Sequence, residues 1–222
     1  MNRLWKLSPS DFAFTWEECR RCFYLKVVLS IQRPSLMPKI FNRIDKGMRM
    51  GMDGVRTETI APSMPPGVIV HGEQWVQSNP IIIPGHRSRC FIRGRVDAVL
   101  RLDNGTWGIV DRKTAETKDE HIPLYGRQLH AYTYSLENPI SSAFAANPVT
   151  RLGLLVFEPM AFTYHLGGGR LEGGLQWVEV PRNDAAFFAF LDEVLTVLDS
   201  TSPPEASPTC ASCLWAVRSM SA

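Results

Sequence analysis

The sequence predicts an α/β fold, a central mixed β-sheet flanked by helices, and three observations support it. Apolar residues recur at helical spacing near both ends: Phe12, Trp16, Cys19 and Phe23, then Phe187, Phe188, Leu191, Leu195 and Leu198. Between them lie short runs rich in β-branched residues, separated by glycine-containing turns. The chain has 222 residues, 45% hydrophobic and 21% charged, a balance able to bury one sizeable core. A single domain is therefore expected over residues 1–222. Its core should span about 68–180, after an N-terminal helical part at 8–60 and before a C-terminal helix and cysteine tail at 184–222.

Ser8 is placed to cap a first helix, with Pro9 at its first position and Asp11 complementing the dipole. That helix is expected to run through Trp16, Cys19, Cys22, Phe23 and on to Val28. A second helix is expected from Ile40 to Val55, rich in methionine but interrupted by Gly47, Gly51 and Gly54. Strands are expected at Val68–Val70 and Glu73–Ile83. Phe91–Leu102 and Thr106–Arg112 form a hairpin across Asp103, Asn104 and Gly105. Leu124–Leu136 is helical. Further strands are expected at Leu152–Glu158, Phe162–Leu166 and Gln176–Val180, with Gly167–Gly169 and Gly173–Gly174 as turns. Asn183 or Asp184 caps an amphipathic helix over 184–198. Thr201–Pro208 is a proline- and serine-rich linker, and a short cysteine-bearing tail comes after it.

The formal net charge of +2 gives no general attraction to nucleic acid, so any basic surface is local. Arg20 and Arg21 form one such patch; Arg87, Arg89, Arg93 and Arg95 form another. No apolar run approaches the roughly 18 residues of a membrane span, and the first residues lack a signal peptide's apolar centre. A cytoplasmic protein without membrane contact is expected, its cysteines reduced unless a metal holds them.

Charged residues interrupt the central hairpin. Asp97 lies inside one apolar run, and Asp111, Arg112 and Lys113 end the next. Strand period two puts Asp111 and Lys113 on one face and Arg112 on the other. A two-residue loop at Asn104-Gly105 would set Asp97 opposite Arg112. A three-residue loop, with Gly105 left-handed, pairs Leu102 with Thr106 and sets Asp97 opposite Asp111. The second arrangement, or an equivalent bulge, is predicted. Two facing carboxylates repel, and a divalent Mg²⁺ or Mn²⁺ ion relieves that. Lys113 beside them would hold a water or stabilise developing negative charge. A plain salt bridge between Asp111 and Lys113 or Arg112 is the alternative.

Cys19-x-x-Cys22 and Cys210-x-x-Cys213 together supply four thiolates, suited to zinc or an iron–sulfur cluster. Such a site would staple the tail to the N-terminal helix. Cys90, before a strand, is expected in the core.

Three motifs stand in order: Gly94-Arg95-Val96-Asp97, Asp111-Arg112-Lys113, and Gln128 with Tyr132 four residues on. With Leu7-Ser8-Pro9-Ser10 and the Cys19–Leu25 segment, they resemble the PD-(D/E)XK nuclease superfamily in its RecB-like branch, which includes the CRISPR-associated RecB-like exonucleases. The resemblance implies a restriction-endonuclease-like core. It further implies that Asp97 and Asp111, with the backbone carbonyl of Arg112, hold Mg²⁺ or Mn²⁺, and that Lys113 positions the attacking water. Gln128 and Tyr132, on one helix face, would contact metal-bound water or DNA. Several relatives carry a [4Fe–4S] cluster with one N-terminal and three C-terminal cysteines; the two-and-two arrangement here leaves zinc, [2Fe–2S] and [4Fe–4S] open, with an iron–sulfur cluster as the expectation and structural zinc as the alternative. Relatives often have an upstream metal-binding histidine, which residues 48–58 lack. His71 is the nearest candidate and Glu73 a substitute carboxylate, whereas His71 and His86 otherwise read as ordinary surface or loop residues. The implied function is metal-dependent hydrolysis of DNA phosphodiesters, on single strands or free ends. The alternatives are a non-catalytic nucleic-acid-binding protein on a degenerate nuclease fold and a zinc-stapled interaction module. Arg20, Arg21 and Trp215 would meet DNA under the nuclease reading, or else form a solvated charge pair and a packing tryptophan.

Overall fold

The structure, a computed structural model, describes residues 3–33, 38–114 and 122–220, with His71 and residues 217–220 described in backbone only. A mixed six-stranded sheet forms its centre. Its strands are β1 (Leu4–Leu7), β2 (Gly67–Gln77), β3 (Arg89–Leu102), β4 (Trp107–Thr114), β5 (Val149–His165) and β6 (Gly168–Glu179). The order is β1-β3-β4-β5-β6, with β2 also paired to β3. β1 runs parallel to β3 and β4 parallel to β5; the other pairs are antiparallel.

The helices are α1 (Pro9–Ala13), α2 (Thr15–Glu18), α3 (Arg20–Leu29), α4 (Lys39–Met50), α5 (Thr57–Ile60), α6 (Ile122–Glu137), α7 (Asp184–Leu198) and α8 (Ala211–Met220). α6 lies in the crossover that parallel β4 and β5 require. Its Leu129, Tyr132 and Leu136 pack on Val99, Ile109 and Leu154. On the opposite face, Ala98, Leu100, Val110 and Leu155 meet Met52, Ala61 and Trp177. A third core joins the N-terminal helices to α7: Phe12 and Trp16 lie edge-on to Phe190, with ring centroids 5.1 and 5.5 Å away. Among the described residues no helix is long and apolar enough to cross a membrane.

Several elements depart from the sequence expectation. The first helix is broken into α1, α2 and α3, with Phe14 and the extended Cys19 between them. Cys19 therefore caps α3 rather than lying within a helix. Helical periodicity survived the breaks because each short piece buries its apolar side in the same core. Ser8 occupies the cap position without a capping side-chain bond; its hydroxyl lies 3.1 Å from that of Ser10. β1 is too short for alternation to reveal it. β2 is one bulged strand, and residues 78–83 contribute only isolated bridges, Ser78 to Pro139 and Ile81 to Cys90. Phe188 is exposed, and Phe190 and Val194 take its expected place in the core. The cysteine tail contains a helix, α8.

β5 and β6 form one long hairpin where shorter strands were expected. Pro159 interrupted the pattern, and the structure accommodates it at a register shift. Gly173 is within β6, not a turn: a Cβ there would lie 2.1 Å from the Glu158 carbonyl oxygen. The turn expected at Gly167 is present between His165 and Gly168, with Gly167 at φ +72°. Gly153 on β5 has a comparable packing role, since its Cβ would stand 2.3 Å from the Trp177 ring. That ring is buried, and its Nε1–H donates to Glu179 at 2.7 Å, which limits how far it can shift. Gly153→Ala is expected to destabilise the protein by about 1–3 kcal/mol. A thermal melt should drop by several degrees; an unchanged Tm would mean the indole moves aside freely.

Candidate functional site

The turn between β3 and β4 sets the site's register. Leu102 N–H donates to the Thr106 carbonyl at 2.9 Å, and Gly105 N–H to the Leu102 carbonyl at 3.0 Å. Gly105 has φ +82°, so the loop is the three-residue form expected from Asp103-Asn104-Gly105. The ladder from Arg101↔Trp107 to Ala98↔Val110, extended one step, puts Asp97 opposite Asp111. There the strands stop pairing. The Arg112 N–H, free of a backbone partner on β3, donates to Asp97 Oδ2 at 2.9 Å.

The strands also change facing at this level. Ala98, Leu100 and Leu102 face the Trp177 core, whereas Val96 faces α6, so strict alternation slips at Asp97. Opposite lies Glu73, whose φ of 31° is unusual outside glycine. Gly94, three residues before Asp97, permits a close approach: a Cβ there would meet Pro9 at 2.7 Å and Tyr132 at 3.3 Å. The N-terminal Leu-Ser-Pro-Ser segment, the strand and α6 thus converge beside the acids.

Asp111 is buried and held from two sides. Gln128 Nε2 donates to its Oδ1 at 3.0 Å, and Lys113 Nζ lies 2.5 Å from its Oδ2. The lysine contact is an ion pair outside hydrogen-bonding geometry, so Oδ2 is a buried oxygen with no hydrogen-bond partner; Gln128 Oε1 is another. The ammonium sits over Tyr125 at 4.6 Å and Phe14 at 5.5 Å from the ring centroids. Tyr132 turns its hydroxyl to the Arg95 carbonyl at 2.8 Å, tying α6 to β3. The α6 pair therefore divides its work: Gln128 touches an acid and Tyr132 the strand that carries the other.

Burial, then the charge of Asp111, pushes the Asp97 carboxyl up to about 7. Burial works against the Lys113 ammonium, but Asp111 outweighs it and raises the pKa above the ordinary lysine value. Burial and the two aspartates raise that of Tyr132 as well.

Sequence reasoning missed three participants, Phe14, Tyr125 and Asp45. Phe14 and Tyr125 enclose Lys113. The Arg112 side chain points to the opposite face, where Nη1 donates to the Asp97 carbonyl at 2.8 Å and Nε to Asp45 of α4 at 2.9 Å. Only the Asp111/Lys113 alternation gave any signal of that orientation; nothing marked Asp45. Glu73 pairs with Arg49 and, at 3.2 Å, with Arg95, so arginines engage the substitute carboxylate. The side chain of His71 lies outside the described set. His86 pairs with Asp192 at 2.8 Å and Asp199 at 3.5 Å, binding its loop to α7 and its C-terminus.

Cys19, Cys22, Cys210 and Cys213 come together, all four sulfurs within 4.8 Å of one another. Cys22 Sγ is 3.6 Å from both Cys210 and Cys213, and Cys19 is 3.9 Å from Cys213. These thiols can hold a metal ion and join the two ends of the chain. Burial opposes the Cys19 thiolate, but the backbone N–H groups of Ser207 and Cys22, with neighbouring thiols, outweigh it and lower its pKa to about 7. Burial and the surrounding sulfurs raise Cys22, and burial foremost raises Cys213 to about 11. Cys90 lies fully buried in the core as expected, with its thiol pushed up to about 12 by burial. Arg20 stacks on Trp16 at 4.8 Å and pairs with Glu193 at 3.3 Å, while Arg21 donates to the Pro204 carbonyl at 3.2 Å. Both cations are engaged within the protein; Trp215 is exposed.

The fold and these two clusters define an α/β protein with a mixed sheet, an acid–lysine centre at its middle strands and a cysteine site joining its ends. No family profile matches the chain, and no curated protein does. Among solved structures, the crystal structure of SSO0001 is similar over 96% of this chain and 84% of that one, at 16% identity and a TM-score of 0.48.

Proposed function

We propose that this protein is a metal-dependent DNA nuclease of the PD-(D/E)XK type, acting on single strands or free ends. The observation that carries the proposal is the opposed pair Asp97 and Asp111, with Lys113 and Gln128 on the buried carboxylate of Asp111. Mg²⁺ or Mn²⁺ would be held by Asp97, Asp111 and the Arg112 carbonyl. The donors fit: Asp111 Oδ2 is buried and met only by the Lys113 ammonium, a positive charge where an ion would stand, and Asp97 resists ionising until a positive charge joins it. Such an ion supplies positive charge at the scissile phosphate.

The chain's own residues do the positioning. Lys113, with its raised pKa, is an ammonium at neutral pH and can only donate. It therefore orients the attacking water and stabilises charge on phosphate oxygens, and is not the proton acceptor. Phe14 and Tyr125 hold it over the acids and exclude bulk water from its stem. Gln128 holds Oδ1 of Asp111, while Oδ2 is ion-paired with Lys113, a contact that a bound metal ion would replace. Tyr132 secures the β3 backbone two residues before Asp97.

End-labelled single- and double-stranded DNA with Mn²⁺, on protein purified without oxygen, tests this reading. Wild type should cut, and Lys113→Ala should lose roughly 100- to 1,000-fold in rate, the worth of one aimed donor. Equal inactivity of both, with folding and cysteine-site metal intact, would overturn it. Nucleic-acid binding without cleavage is the second reading, favoured by the engagement of Asp45 and Glu73 with arginines, which leaves no third acid free at the pair among the described residues.

At the cysteines we propose one zinc ion. Four thiolates about 2.3 Å from a single tetrahedral centre stand about 3.8 Å apart. Three of the six separations, 3.6 to 3.9 Å, match that spacing, and all four sulfurs lie within 4.8 Å of one another. A four-iron cluster, with each thiolate on a separate iron, requires a wider set.

A further inference from the structure

Beyond the helices lies an exposed aromatic–arginine surface that the acid–lysine centre does not use. On β2, Trp75 is 58% exposed, although large aromatic side chains are ordinarily buried. The ladder pairs Trp75 with Arg95 and Gln77 with Arg93, so all four share one face. Both guanidinium groups lie over the indole, Arg93 at 5.6 Å and Arg95 at 5.9 Å from its centroid. The other face of this ribbon is covered, since Val76 and Val96 pack with α6. The exposed face carries no described helix, and no described carboxylate pairs with Arg93. Arg95 shares Glu73 with Arg49, which ties α4 to the edge of the patch. One turn earlier on α4, Lys46 is exposed and has no described carboxylate partner.

We propose that Trp75, Arg93 and Arg95 form a binding platform for single-stranded nucleic acid. An exposed indole offers a base a stacking face, which every base can use and a paired duplex cannot. Flanking guanidinium groups supply phosphate contacts and can also stack. The surface charge is positive at the platform although the whole chain is near neutral, which suits a polyanion arriving locally. Arg95 precedes Asp97 by two residues, about 7 Å along the strand. Asp111 meets Gln128 of α6 on the other side of the sheet from Trp75, so the platform neighbours the acid pair along β3 without sharing its face. Binding at the platform stands independently of the nuclease reading; only cleavage of the bound strand rests on it.

Binding and cleavage are tested separately. Fluorescence anisotropy of a labelled oligothymidine is measured with no added divalent ion, so that cleavage plays no part. Trp75→Ala should weaken binding about 10-fold, and Trp75→Phe should recover most of it, the expectation for stacking. Arg93→Gln with Arg95→Gln should reduce the slope of log affinity against log salt by about 1.4, roughly 0.7 per lost contact. Duplex of the same length should bind more weakly and respond little to Trp75→Ala. Thermal melts confirm folding of each variant. Unchanged affinity in folded Trp75→Ala overturns the platform, whether or not the protein cuts DNA with Mn²⁺. So does failure of wild type to bind the oligonucleotide, an outcome that would turn the patch toward a protein partner. Loss of cleavage with the Trp75 dependence intact would instead overturn the nuclease reading alone.

Discussion

Cys210→Ser is expected to release the C-terminal segment and lower the melting temperature by about 10 °C or more. Cys210 is fully buried at the sulfur cluster, while its helix, α8, leaves Leu214 and Trp215 exposed. Outside the sulfurs, the described fastenings of the preceding linker are few: Arg21 donates to the Pro204 carbonyl, and the Ser207 N–H meets the Cys19 thiol. The sulfur cluster therefore provides most of the attachment. Cys22 and Cys210 are 188 residues apart in sequence, so the site forms only in the folded chain, and a metal bound there stabilises that chain by about 4 kcal/mol at a free concentration about 1,000 times its Kd. At about 2–4 °C per kcal/mol for a chain of this size, loss of that stabilisation accounts for the shift. Metal analysis should show about one zinc per chain in wild type and little in the variant. Limited proteolysis should cut the variant near residues 201–213 much faster than wild type. A brown wild type with visible absorption would replace zinc with an iron–sulfur cluster and leave the staple standing. Wild-type protection and Tm in Cys210→Ser would remove the staple itself.

The acid pair was legible because two local rules act together. Period two fixes which residues share a face, and Asp103-Asn104-Gly105 fixes the loop length. The four cysteines were legible as a set because their spacing is local within each pair. Other features were hidden for physical reasons. The breaks at Phe14 and Cys19 leave helical spacing of apolar residues intact, so periodicity cannot see them. The slip at Asp97 lies opposite Glu73 with its positive φ, and no residue preference announces either. Arg112 finds Asp45 across 67 residues of chain, and a charge's partner at that distance is set by topology alone. The β5–β6 hairpin reversed two ordinary signals. Proline and paired glycines normally end strands, but here a register shift absorbs Pro159, and Gly173 fits where the opposite backbone comes too close for a side chain.

Asp97→Asn should make the protein more stable and inactive at once. The Asp97 carboxyl is raised to about 7, from an ordinary value near 4, by burial and then by the charge of Asp111. Folding therefore favours its neutral form. The stability this group contributes is fully present below about pH 4 and is lost as pH rises through about 7. At pH 8 without added Mg²⁺ or Mn²⁺, the ionised carboxylate destabilises the fold by up to about 4 kcal/mol, taking 1.36 kcal/mol per unit of pKa. Half-burial of the residue and solvent around it reduce that to roughly 2 kcal/mol, or about 5 °C in Tm. Asparagine keeps an oxygen for the Arg112 N–H and removes the charge. The variant's advantage should be about 5 °C at pH 8 and shrink toward pH 4. Mn²⁺ should stabilise wild type and not the variant, and should bind wild type more weakly below pH 7, where a proton competes. Cleavage by the variant should fall at least 100-fold. A variant less stable than wild type at pH 8 would show that Asp97 is held by its contacts with Arg112 rather than strained against Asp111, and the pair would then be a structural feature of the sheet. A more stable, Mn²⁺-insensitive and inactive variant would mean that the fold tolerates two facing acids because a bound cation relieves them.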